Sequence, residues 1–144
     1  MRLLLIGLLT ALVAAPSSPA AGPDPVDARK RVVREWSARV NAYDNDGVAR
    51  LFARPAAVAQ GGAIYALRTY DEIAMWHEGL PCAARIVSIT VKGQDATAVF
   101  VLRNGPHRRC DAPGGKVAAV FHISGGKIVA WAQIPVPKPA RPVA

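Results

Sequence analysis

The stretch Val32–Val58, VVREWSARVNAYDNDGVARLFARPAAV, contains the signals that decide the fold. Apolar residues recur in its first half at the three- and four-residue spacing of a helix with one buried face. The sequence Asp44-Asn45-Asp46-Gly47 interrupts this pattern and caps a second, shorter helix, which we expect Pro55 to end. The first helix begins earlier, because Asp24 provides a cap and Pro25 suits the first helical position.

The rest of the chain changes from helical to strand-like spacing. Apolar residues on both sides of Gly61-Gly62 predict a short hairpin, with strands at 58–60 and 63–67. Thr69 and Glu72 have the spacing of a capping box and predict the start of a third helix. Four further strands are predicted at 83–92, 96–104, 117–124 and 127–134.

The last two predicted strands are joined by Ser124-Gly125-Gly126-Lys127, which is typical of a two-residue hairpin turn. This turn sets a register in which Phe121 faces Ala130 and Ala119 faces Ala132 on one apolar side of the sheet. The opposite side is mixed in character and suits solvent or a second subunit. The predicted homodimer contact on this outer side consists of Val120, His122, Trp131 and Gln133.

Both ends of the chain predict segments outside the folded domain. Arg2, the apolar run 3–15 and Ser18-Pro19-Ala20 together are typical of a signal peptide that is cleaved after Ala20. The run is shorter than the roughly 20 apolar residues that span a membrane, so we expect a secreted or extracytoplasmic protein without a stable membrane span. The expected organisation is a signal peptide at 1–20, a domain at 21–134 and a Pro-rich tail at 135–144.

The chain has two cysteines, Cys82 and Cys110. An even count in an exported chain predicts one disulfide, because oxidising compartments favour such bonds. Strand pairing supports this prediction. A tight turn at Gly93-Gln94 sets Lys92 opposite Asp95, which brings Cys82 close to the loop that holds Cys110.

The formal net charge of +8 favours anionic partners in general. The basic residues are nevertheless scattered around the first helix, and no aromatic residues interleave them as a nucleic-acid platform requires. We therefore expect a cationic, solvated surface and no nucleic-acid partner.

Signals for metals, cofactors and nucleophiles are weak. The histidines His77, His107 and His122 do not have the short fixed spacings of a zinc site. Asp44-Asn45-Asp46-Gly47 lacks the later ligands of a calcium loop. The sequence contains no Gly-x-Ser-x-Gly elbow, and no glycine-rich phosphate loop follows a strand. We expect no metal and no cofactor.

The order helix, turn, helix, hairpin, helix and four strands resembles the nuclear-transport-factor-2-like superfamily, which includes SnoaL-like polyketide cyclases and ketosteroid isomerases. Val32–Val58 aligns without gaps to the start of bacterial ketosteroid isomerases, where Asn41, Asp44, Asp46-Gly47 and Leu51-Phe52-Ala53 fall on matching residues. The resemblance implies an α+β fold, in which a cone-like, curved antiparallel sheet wraps around the N-terminal helices.

The resemblance also implies where catalytic side chains would lie. In that family an aspartate base moves a proton, while a tyrosine and a buried acid hold the resulting enolate oxygen. In this chain the tyrosine position holds Trp36, the base position Gln60 and the acid position Ala119. We therefore predict a non-catalytic domain that binds a small apolar ligand or acts as an accessory protein. The candidate pocket residues are Trp36, Val40, Tyr43, Phe52, Tyr65, Trp76, Ala119 and Phe121.

Two alternatives stay open at this point. One is an isomerase- or cyclase-like enzyme that uses Tyr43, Asp44 or His77. A carboxylate or histidine with a raised pKa deep in the cone would favour that enzyme, whereas an interior of apolar groups and amides would favour binding. The other alternative is a protein-interaction module that uses the outer face of the sheet.

Overall fold

A computed structural model of the protein describes residues 22 and 24–139. The predicted signal peptide and the last part of the predicted tail lie outside these residues. The described chain forms three helices and six strands. In chain order they are α1 (Pro25–Asn41), α2 (Asn45–Arg50), β1 (Phe52–Gln60), β2 (Ala63–Leu67), α3 (Tyr70–Glu78), β3 (Ala83–Lys92), β4 (Asp95–Arg103), β5 (Lys116–Ser124) and β6 (Lys127–Ile134).

All three helices begin at the predicted caps. Asp24 accepts a hydrogen bond from an amide in the first turn of α1, and Pro25 is the first residue of that helix. Asp44 caps α2 in the same way. At the start of α3, Thr69 and Glu72 form a reciprocal capping box. Caps of this kind contribute about 1 kcal/mol each, because they satisfy amides that have no partner inside the helix.

The second helix is shorter than predicted. It ends at Arg50 instead of continuing to Pro55, and Phe52 begins strand β1. Pro55 therefore lies inside a strand and does not end a helix. The pairing of β1 with β6 is irregular between Phe52 and Ala57. A proline is tolerated at such an interruption because no regular ladder hydrogen bond needs its missing N–H.

The six strands form one curved sheet in the order β2-β1-β6-β5-β4-β3. Four of the five neighbouring pairs are antiparallel, but β1 and β6 are parallel. The sheet is therefore mixed, whereas we predicted a wholly antiparallel one. The parallel pair requires a long connection between its strands, and α3 with the four intervening strands provides it. The core lies between the helices and the concave face of this sheet.

The register of β5 and β6 differs from the prediction. The turn forms as expected, but a bulge follows the pair Ile123–Ile128 and shifts the remaining register by one residue. Phe121 therefore faces Trp131 instead of Ala130, and Ala119 faces Gln133 instead of Ala132. Side chains alternate between the two faces of a strand. A shift of one residue therefore moves Trp131 and Gln133 from the predicted outer face to the inner face.

This shift corrects the predicted outer face. Trp131 is only 6% exposed and belongs to the core, where its ring centroid lies 5.1 Å from that of Trp76. Gln133 follows Trp131 on the same inner face. The predicted homodimer cluster is therefore divided, since only Val120 and His122 remain on the outer face.

We expect Trp131→Ala to lower the free energy of unfolding by about 3–5 kcal/mol, because it removes a large buried aromatic side chain. The matched control is Ile64→Ala on β2, where the side chain is 79% exposed and the change should stay within about 0.5 kcal/mol. Urea unfolding followed by circular dichroism measures both. A loss below about 1 kcal/mol for Trp131→Ala would contradict its placement in the core.

Candidate ligand-binding site

A cavity of about 320 Å³ lies between α1, the concave face of the sheet and the segment that joins α3 to β3. This volume is at the lower end of the range of small-molecule sites, which starts at about 300 Å³. Most of its wall is apolar. It is lined by Trp36, Ser37, Val40, Asn41, Gln60, Leu80, Pro81, Cys82, Ala84, Phe100, Leu102, Asp111, Ala112, Val117, Ala118, Ala119, Trp131 and Gln133.

Strand pairing places two carboxamides side by side on the wall of this cavity. Ala59 pairs with Ala132 between the parallel strands β1 and β6, so the next residues, Gln60 and Gln133, are neighbours on the inner face. Ala119 lies on the other side of Gln133, directly opposite it in β5. Each carboxamide offers both donors and an acceptor to a ligand.

The three positions at which the family resemblance implies catalytic side chains line this one cavity. They hold Trp36, Gln60 and Ala119. An indole is only a hydrogen-bond donor, a carboxamide is no base at neutral pH, and a methyl group has no polar atom. At these three positions the cavity therefore presents no group that transfers a proton.

Of the eight predicted pocket residues, three line the cavity and two are buried in the core. Trp36, Val40 and Ala119 line the cavity. Phe52 and Phe121 are buried in the hydrophobic core and are not among the lining residues. The two phenylalanines therefore pack beneath the site and do not form its surface.

The other three predicted pocket residues lie away from the cavity. Tyr65 is half exposed on the edge strand β2, and Trp76 packs edge-on against His77. Tyr43 lies beside the loop between β4 and β5, where a side chain at Gly105 would collide with its ring and hydroxyl. That hydroxyl is buried and has no hydrogen-bond partner within the described part of the chain.

His77 is buried directly behind Trp36. The indole Nε1–H of Trp36 donates to His77 Nε2 at 3.0 Å. Because an indole can only donate, Nε2 must be unprotonated, so the proton lies on Nδ1 and is donated to the Ile73 carbonyl at 2.8 Å. Burial lowers the pKa of His77 to about 4. The imidazole is therefore neutral near pH 7, and both of its nitrogens are occupied.

The position of His77 carried a signal in the sequence. It follows Ile73 by four residues, the spacing that places two side chains on one face of a helix, and Ile73 is fully buried. The enzyme alternative called for a deep histidine with a raised pKa. The structure provides a deep histidine whose pKa is lowered.

The free energy of unfolding should decrease as the pH is lowered, because of His77. Its pKa decreases from 6.5 to about 4 on folding, so the unfolded state binds the proton more tightly. The full stabilisation is present above pH 6.5 and is lost as the pH falls toward 4, by on the order of 3 kcal/mol.

We expect the free energy of unfolding, measured with urea across this pH range, to depend less on pH for His77→Gln than for the wild type. The exposed His107→Gln serves as control, and an unchanged slope in His77→Gln would refute this origin.

Cys82 and Cys110 form the predicted disulfide. The bond joins the start of β3 to the loop between β4 and β5, and Cys82 lines the cavity. A bridge over 28 residues contributes roughly 2–4 kcal/mol. Asp111 Oδ1 lies 3.3 Å from Cys82 Sγ, a contact without a hydrogen bond because a disulfide sulfur has no proton. In this oxidised state neither cysteine is a thiolate ligand for a metal.

The loop between β4 and β5 is held at the cavity mouth by further bonds. Arg108 Nη1 donates to the carbonyls of Glu78 at 2.6 Å and Leu80 at 3.2 Å, at the end of α3. The Cys110 amide donates to Asn104 Oδ1 at 2.9 Å. The mouth therefore has fixed walls, because both a covalent bond and side-chain hydrogen bonds connect the loop to its neighbours.

Two polar groups that line the cavity have contrasting environments. The Asn41 amide donates to the Ala84 carbonyl and accepts from the Ala84 N–H, both at 2.8 Å, and so joins α1 to β3. The indole N–H of Trp131 is buried and has no partner among residues 24–139. An unpaired buried donor costs about 1–3 kcal/mol, so a ligand acceptor that reached it would stabilise the complex.

Comparison with known proteins identifies the fold. No protein-family model and no curated protein matches the chain, but solved structures do. A candidate polyketide cyclase from Sinorhizobium meliloti has a TM-score of 0.60 at 19% identity, covering 72% of this chain and 94% of that one. An NTF2-like protein of unknown function from Cytophaga hutchinsonii has 0.58 at 11%, covering 74% and 88%.

A third similar structure is an LEH-like epoxide hydrolase from M. tuberculosis, with a TM-score of 0.60 at 18% identity, covering 76% of this chain and 84% of that one. The chain has the α+β fold of the nuclear-transport-factor-2-like superfamily, as the sequence predicted. Among the described residues, no helix is long and apolar enough to cross a membrane.

Proposed function

We propose that the protein is a secreted, non-catalytic domain that binds a small apolar molecule in the cavity beside Trp36. The observation that carries this proposal is the lining of the cavity, where Trp36, Gln60 and Ala119 occupy the positions of a proton-transfer site. Aromatic and aliphatic walls favour an apolar ligand, since burial of apolar surface contributes about 25 cal/mol per Å². An accessory role for the same domain is compatible with this cavity.

Two features support secretion. The Cys82–Cys110 disulfide is of a kind that persists in oxidising compartments. The sequence of residues 1–20 has the pattern of a cleaved signal peptide, although these residues lie outside the described structure.

The enzyme alternative is less well supported, because its three candidate residues do not line the cavity. His77 lies behind Trp36, and the Tyr43 hydroxyl is buried against a loop. Asp44 caps α2 and pairs with Arg39 at 2.5 Å. The Gly47 amide and the Arg39 guanidinium lower the pKa of Asp44, so its carboxylate is a poor base. Binding is therefore the function that the geometry favours.

We expect bulky residues in the cavity wall to abolish binding of an uncharged apolar dye, N-phenylnaphthylamine. Val40→Trp fills the site from α1, and Gln133→Trp obstructs it from the exposed end of β6. Each should weaken binding by about tenfold or more, measured by dye fluorescence. Met75→Trp is the control, because Met75 is exposed on α3 and does not line the cavity.

Native mass spectrometry of the exported protein complements this titration, because a retained small molecule should be absent from both wall variants and present in the control. Equal dye affinity in all three variants would contradict binding in the cavity. Two wall variants from different elements protect the test against misfolding of either one.

A second candidate function is association of two copies through the outer face of the sheet. The observation that favours it is the presence of exposed apolar side chains on the edge strands of this sheet, Ile64 at 79% on β2 and Val87 at 48% on β3. Val120 lies nearer the middle of this face. His122 Nδ1 pairs with Asp95 Oδ1 at 2.6 Å beside it.

We expect Val120→Lys to convert a dimer to a monomer, because a lysine in an apolar contact would be buried without a partner. Light scattering after size-exclusion chromatography measures the mass, and circular dichroism verifies the fold. Met75→Lys on α3 should leave the dimer intact. A wild-type protein that is monomeric over the accessible concentrations would disprove this association.

A further inference from the structure

We infer that the cavity selects lipophilic amines, molecules with an apolar body and one positive charge, an inference that rests on the proposed function. The observation behind it is the charge of the lining. Of the described residues that line the cavity, Asp111 is the one that bears a formal charge, although the whole chain has a net charge of +8. A negatively charged group in the binding site of a positively charged protein distinguishes ligands by the sign of their charge.

The carboxylate of Asp111 lies beside the disulfide. The preceding residue, Cys110, is covalently bonded to Cys82, and Asp111 Oδ1 lies 3.3 Å from Cys82 Sγ. The neighbouring Arg108 directs Nη1 to the carbonyls of Glu78 and Leu80. Asp111 forms no ion pair with any described residue. Its charge is thus available to a ligand at the cavity mouth.

The rest of the cavity accommodates the remainder of such a molecule. Trp36, Phe100 and Trp131 present aromatic surface to an apolar body, and aromatic faces also attract cations. The carboxamides of Gln60 and Gln133 are neutral. An anionic ligand would find no basic side chain in the lining and would face a carboxylate of like charge. An amine gains an opposite charge at the same place.

The test compares three molecules with one bicyclic aromatic body, which differ in charge near neutral pH: naphthylmethylamine, naphthylmethanol and naphthoic acid. Quenching of tryptophan fluorescence reports binding to the full exported protein, with competition against N-phenylnaphthylamine as a second readout. We expect the amine to bind about tenfold more tightly than the acid, with the alcohol between them. High salt should reduce the difference, because ions screen exposed charges.

Asp111→Asn removes the charge and keeps the size of the side chain. We expect it to reduce the preference for the amine over the acid to about twofold or less, while the affinity for the alcohol is unchanged. Asp27→Asn makes the same charge change on the exposed start of α1, away from the lining, and should retain the wild-type preference. Thermal unfolding of both variants verifies that each is folded.

The outcomes separate the two proposals. If the acid binds as tightly as the amine, or if Asp111→Asn leaves the preference unchanged, the inference is overturned while binding in the cavity stands. If neither the dye nor any of the three molecules binds, the proposed function fails as well. A preference for the amine that Asp111→Asn removes and Asp27→Asn retains supports the inference.

Discussion

The hydrogen bond between the indole N–H of Trp36 and Nε2 of His77 joins α1 to α3 inside the core. The same indole packs against the inner face of the sheet, with ring centroids 5.9 Å from Phe100, 5.0 Å from Phe121 and 6.2 Å from Trp131. One side chain therefore connects two helices and three adjacent strands. The bond also requires an unprotonated Nε2, so it keeps the histidine neutral. Since a tryptophan has a single polar hydrogen, none remains to donate to a ligand.

Local signals in the sequence predicted the helix starts and the tight turns. Asp24, Asp44 and Thr69 act through neighbours a few residues away, so their effect does not depend on the rest of the fold. The bulge beside Ile123 and the end of α2 were missed for the opposite reason. Both depend on how strands from distant parts of the chain pair, which overrides local propensity at Phe52. Nothing local to that segment signals the parallel pairing with β6.

The candidate site was predicted in part by position and in part by chemistry. Trp36, Gln60 and Ala119, the positions that the family resemblance marked, line one cavity, because α1 and the sheet register bring them together. The even number of cysteines predicted the disulfide. Asp111 was missed as a lining residue because it lies in a loop without a periodic pattern. The disulfide and the hydrogen bonds of Arg108 and Cys110 hold this loop at the cavity mouth, and spacing along the chain does not encode those contacts.

The small residues in the cavity wall now acquire a physical interpretation. Protein interiors are normally packed as densely as organic crystals, and side chains as large as leucine at Ala84 or Ala119 would occupy much of the space beside Trp36. Alanines at these positions give less packing energy than larger side chains would, because atoms that face a gap lose dispersion contacts. A bound molecule restores those contacts and stabilises the folded state by mass action. A molecule of suitable shape that filled this volume would therefore stabilise the domain, and its binding would be coupled to the stability of the fold.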